Sequence, residues 1–82
     1  MKSTKMLKKV RSYSAFFEKN TNGSYTVTVP SLPGLVTEGR TIEDARIMAE
    51  DAIKCYLEGL VKDKEEIPEE AEIAQMQIHV AF

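Results

Sequence analysis

With one cysteine, one histidine and no tryptophan, this chain lacks most of the side chains from which enzymes build reactive sites. A lone Cys55 makes neither a disulfide framework nor a metal cluster, a usage that suits a reducing cytoplasm. On the helix flank, with no histidine or lysine in the pattern to make it a thiolate, Cys55 reads as packing. His79 falls on the polar face of an end strand, where it reads as solvated rather than catalytic. The four glycines and three prolines form no strand-linked GxGxxG and no phosphate-binding loop. No apolar run approaches the ~18 residues of a membrane span, and the basic N-terminus has no apolar signal-peptide core. The expectation is a soluble, cytoplasmic protein that is not an enzyme, with no catalytic, cofactor-binding or metal residue and no cofactor.

What remains describes an ordered domain. Hydrophobic residues make up 43% and charged residues 29%, which places the chain among globular proteins. A domain of 82 residues buries only about 60% of its unfolded surface, so self-association as a dimer or tetramer is expected. Net charge is −2, but its distribution is uneven. Lys2, Lys5, Lys8, Lys9 and Arg11 open the chain without an acid, and read first as a solvated tail, then as a nucleic-acid contact. Asp63, Glu65, Glu66, Glu69, Glu70 and Glu72 crowd a later segment in which Lys64 is the only cation. That segment is either a solvated linker or a surface for a basic partner.

The stretch from Tyr25 to Ala45 organises the fold. Tyr25, Val27 and Val29 alternate with threonines as a half-buried strand, which Pro30 stops by removing an amide donor. Pro33-Gly34 has the chemistry of a type II turn, with proline presetting the first torsion and glycine accepting the positive φ of the second. A third strand over Leu35–Glu38 follows, broken at Gly39-Arg40. Before this stretch, Tyr13, Ala15 and Phe17 alternate in a first strand that starts as early as Leu7 and turns at Asn20–Gly23. Thr41 caps a helix with Asp44 three residues on and Glu43 in its first turn. Ala45, Met48, Ala49, Ala52, Ile53, Tyr56, Leu57 and Leu60 form its apolar stripe, while Glu50, Lys54, Glu58 and Lys62 ladder its solvent face.

The last segment alternates again, with Met76, Ile78, Val80 and Phe82 against Gln75, Gln77, His79 and Ala81. It is expected as a fourth strand. The fold class is therefore α+β, ordered β-β-β-α-β, with a mixed four-stranded sheet and one helix on one face. The other face leaves Phe16 among polar residues, a candidate oligomer contact. Residues 1–12 form a basic extension or the early part of the first strand, and residues 13–82 a single domain. Carboxylates such as Glu18 and Glu50 keep a metal-dependent nuclease open as a rival, although the fourth strand supplies no acid for a metal site.

The order YSAFFEK, a Gly-containing loop, YTVTVPSLPGLVTEG, a capped helix running to CYLEGL and an acidic IPE segment resembles the HicB-type antitoxin family. Its most specific part is VPSLPGLVTEG, in which Val29, Pro30, Leu32, Pro33, Gly34, Thr37 and Gly39 match the signature. The resemblance implies a partial RNase H-like fold whose fourth strand lies beside the first. It also implies a partner, a small basic HicA-like toxin that cleaves messenger RNA and is neutralised by binding. Many members carry a C-terminal DNA-binding module for which this sequence has no room after Phe82, so direct DNA binding is not expected. Pro30, Pro33, Gly34 and Gly39 are expected to shape the backbone. Partner binding is expected at Leu32, Leu35, Glu65, Glu66, Glu69, Glu70 and Glu72. An orphan HicB-like protein acting as an oligomeric binding module is the alternative.

Overall fold

The computed structural model describes residues 10–70 and 72–82. Four elements follow in chain order: β1 (Phe16–Lys19), β2 (Tyr25–Thr28), β3 (Val36–Gly39) and α1 (Ile42–Lys62). The strands form one antiparallel sheet ordered β1-β2-β3, the outcome expected when consecutive strands are joined by short turns. Phe17 faces Val27, which in turn faces Thr37, while Phe16, Thr28 and Val36 make the neighbouring row on the opposite face.

Each connection follows from its residues. In the first, the Gly23 amide donates to the Asn20 carbonyl at 2.9 Å and the Asn20 amide to the Ser24 carbonyl at 2.7 Å. Gly23 sits at φ 92, the left-handed residue that completes a three-residue hairpin loop. Two proline-led turns then come in succession. The Leu32 amide donates to the Val29 carbonyl at 2.9 Å, and the Leu35 amide to the Leu32 carbonyl at 3.1 Å. The second turn has Pro33 and then Gly34 at φ 85, which is the type II geometry its sequence predicts.

The double turn folds its apolar residues inward. Val29, Leu32 and Leu35 are buried, Leu32 completely, and pack with Tyr13, Ala52, Ile53, Tyr56 and Leu57. The Tyr56 hydroxyl donates to the Pro33 carbonyl at 2.9 Å, tying the helix to the turn. A second cluster joins Val27 to Ala45 and Ala49, flanked by Ala15, Phe17 and Tyr25. Between the clusters and the helix start lies Gly39, the buried last residue of β3. A Cβ there would lie 2.4 Å from the Ala45 backbone. Gly39 is therefore required by the approach of two backbones, and its torsion makes no such demand.

Both helix ends are closed by specific bonds. The Thr41 hydroxyl accepts the Asp44 amide at 3.0 Å, and the Asp44 carboxylate accepts the Arg40 amide at 2.9 Å, a reciprocal cap displaced one residue from the usual box. At the other end, Glu65 N–H reaches the Leu60 carbonyl at 2.8 Å and Lys64 N–H the Val61 carbonyl at 3.0 Å. With Lys64 at φ 60, this is a Schellman motif built on a non-glycine residue.

Several expectations are corrected. The sheet has three antiparallel strands, not a mixed four, because residues 75–82 take no sheet partner among the described residues. Met76, Ile78 and Val80 are each 73–75% exposed; their alternation fits a strand, but pattern alone supplies no neighbour. The third strand starts at Val36, since Leu35 closes the turn and enters the core. Met48 is exposed at the edge of the helix stripe, and Cys55 is exposed rather than packed. The early start of the first strand at Leu7 lies outside the described residues, as do Lys2, Lys5, Lys8 and Lys9.

Two stability measurements test this account. Replacing Gly39 with alanine is expected to cost about 1–3 kcal/mol, the usual range for overpacking, seen as a lower urea midpoint. Lys64→Gly removes a left-handed side-chain penalty of about 1–2 kcal/mol, partly offset by the greater freedom of glycine in the unfolded chain, by about 0.4–1 kcal/mol. A net gain on the order of 0.5 kcal/mol is expected, and a midpoint that falls contradicts the cap assignment.

Candidate functional site

The acidic segment begins where α1 ends. Asp63, Glu65, Glu66, Glu69 and Glu72 are exposed, and the first three cluster at the negative end of the helix dipole, where anions are disfavoured. Folding alone gives no reason for that placement. Further along, the segment bends back to the sheet and is held there. The Tyr13 hydroxyl donates to the Pro68 carbonyl at 2.6 Å. Glu70 accepts the Ser14 amide at 3.0 Å with one carboxylate oxygen and the Ser31 hydroxyl at 2.9 Å with the other. Arg11 lies 3.6 Å from Glu69, an exposed pairing of small energetic weight.

The acids thus fall into two roles. Glu70 is half-buried and committed to internal bonds. Hydrogen bonding from Ser14, opposed by burial and reinforced by Ser31, holds its carboxyl below the ordinary carboxylate range. Glu65, Glu66 and Glu72 present exposed carboxylates. Leu32 and Leu35, named from sequence as partner contacts, belong to the core, so a partner at this loop meets its outer atoms, including those of exposed Pro30, Pro33 and Gly34. Sequence reasoning missed the clamping role of Glu70. The signal was the neighbouring Pro68, which marks a chain reversal but not its target.

On the outer sheet face Phe16 is 37% and Val36 62% exposed, beside a polar group built on Asn20. The Asn20 amide donates to Ser24 Oγ at 2.9 Å and Thr26 Oγ1 at 3.0 Å, and Ser24 Oγ donates to Glu38 at 3.0 Å. His79 is exposed on the C-terminal segment. Along the helix, Arg46 bonds Glu43 at 2.6 Å and approaches Glu50 at 3.4 Å. The hydrogen bond and charge of Arg46 lower the Glu43 pKa. Among the described residues, no group of three histidine, cysteine or acidic side chains is arranged to hold a metal ion, and no helix is long and apolar enough to cross a membrane.

A small sheet under one helix, with an acidic arm clamped across its edge, is a scaffold for binding. Residues 13–82 match the family described as HicB_like antitoxin of bacterial toxin-antitoxin system, and the chain belongs to that family. It is 43% identical over 56 residues to a UPF0150 protein of Thermoplasma acidophilum, covering 68% of this chain and 81% of that one. A UPF0150 protein of Synechocystis is 32% identical over 63 residues, covering 77% and 80% respectively. An uncharacterized 14.9 kDa protein of Haemophilus phage HP1 is 39% identical over 54 residues, or 66% of this chain and 41% of that protein.

The clamp has a pH signature. Because the folded Glu70 carboxyl titrates lower than in the unfolded chain, its contribution is present above the ordinary carboxylate range, about 4.3, and is lost as pH falls through the lowered native value. Glu70→Gln is expected to shrink the acid-limb loss of stability, measured by urea unfolding from pH 6 to pH 3. Tyr13→Phe should cost about 0.5–1.5 kcal/mol through its lost hydrogen bond.

Proposed function

We propose that this protein is the antitoxin of a type II pair and that it binds and inhibits a small HicA-like, mRNA-cleaving toxin in the cytoplasm. The family match over residues 13–82 carries the reading. The acidic arm supports it physically. A toxin that grips RNA presents a cationic surface, and exposed carboxylates gathered at an unfavourable helix end suit such a surface better than they suit folding. Glu65, Glu66, Glu69 and Glu72 steer the encounter, and the rigid double turn beside them supplies shape. Glu70 keeps the arm in place for docking. The protein acts by occupying the toxin, with no bond made or broken.

Co-expression with the product of the adjacent reading frame tests the reading directly, with relief of growth arrest and co-purification as readouts. In the purified pair, changing Glu65, Glu66, Glu69 and Glu72 together to glutamine should slow association by about tenfold or more at low salt and flatten its salt dependence. An unchanged salt slope places the docking surface elsewhere.

A further inference from the structure

The described residues contain both a segment with the alternation of a strand but no sheet and a sheet edge without a strand. Residues 72–82 carry no hydrogen bond to another described residue, and Met76, Ile78 and Val80 project from a period-2 segment into solvent. Meanwhile β1 is the sheet's terminal strand, paired on one side only by β2. Beside it lies an open groove of about 400 Å³, whose apolar floor is Tyr13, Ala15 and Phe17 from the first strand and its lead-in with Ala49 and Ile53 from α1, and whose rim carries Arg11, Ser12, Arg46 and Glu50. Apolar side chains at every second position match that lining, and the unpaired backbone of β1 offers the ladder bonds.

We propose that the C-terminal segment of a second copy fills this groove, with β1 and residues 75–82 exchanged reciprocally in a two-fold dimer. The occupant is identified by complementarity within one sequence. The chain supplies a segment of alternating apolar residues and a groove with an apolar floor beside a free edge, and leaves both unsatisfied in the same molecule. Pro68 and Glu70 hold the arm against Tyr13 and Ser14, while every residue from 75 to 82 stays exposed and none of them lines the groove of its own molecule. A second copy related by a two-fold axis satisfies both deficits with two equivalent contacts. The groove and strand carry this inference whether or not the protein is an antitoxin.

Light scattering of the full chain should give twice the 9.2 kDa chain mass. Ile78→Asp, which spoils the strand, and Ala15→Trp, which fills the groove, should each weaken dimerisation by more than ~100-fold. Mixing these two variants should restore a heterodimer through the one intact strand and the one intact groove. Phe16→Asp, on the opposite sheet face, should leave the dimer intact. A chain shortened to end at Ile73 should be monomeric with an unchanged helical spectrum. The proposal is overturned by a monomeric full chain, by a dimer that survives Ala15→Trp or the shortening, or by protection of the groove only when the adjacent gene product is bound. Failure of toxin binding with these dimer results intact would instead count against the antitoxin reading alone.

Discussion

The seating of α1 on the sheet at Gly39 and Ala45 is the contact on which the rest depends. A glycine at the end of β3 and small residues on the facing helix let two backbones meet at a distance that any Cβ at Gly39 would prevent. That approach buries Val27 against Ala45 and Ala49 and carries Tyr56 to the Pro33 carbonyl. The double turn is then trapped beneath the helix, so Leu32 fills the core where a loop residue would ordinarily meet solvent. A small domain has few apolar residues to spend; here close packing of alanine and glycine compensates for the absence of larger ones.

The acidic arm shows how one stretch can divide between structure and display. Glu70 and Tyr13 anchor it, and the carboxylates on either side of that anchor stay in water. Such a division allows a binding surface to be strongly charged without being disordered. Repulsion among the acids and with the helix end is borne by bonds made only a few residues away.

Local architecture was legible because turn chemistry and alternation are local properties. Pro33-Gly34 named its turn type, Asn20–Gly23 its hairpin, and Thr41 with Asp44 its helix start, and each matches the structure. Two readings failed because they concern relations between distant segments, the pairing of residues 75–82 and the packing of Cys55. Residues 75–82 have the pattern of a strand, but period 2 reports compatibility with a sheet and not the identity of the neighbour. The burial of Leu32 and Leu35 was equally hard to read, since loops ordinarily lie at the surface and here two turns in succession fold one inward. Cys55 sits one position from the core stripe, where a rotation of the helix by a fraction of a turn decides between packing and solvent. Glu70 stood out in no way among six acids; its selection depends on Ser14 and Ser31, both far away in sequence.

The clamp also sets an order of opening. Its two bonds to the first strand's lead-in span 55 and 56 residues, whereas the sheet and helix contacts join β1 to β2, β2 to β3, and α1 to β2 and β3. Closing the longest loop for so few bonds leaves this part of the molecule with the smallest reserve of local stability. Detachment of the arm is therefore a sub-global fluctuation that leaves both apolar clusters assembled. Its amides should exchange with solvent on a faster timescale than those of the helix, and the arm can be re-docked without refolding the domain.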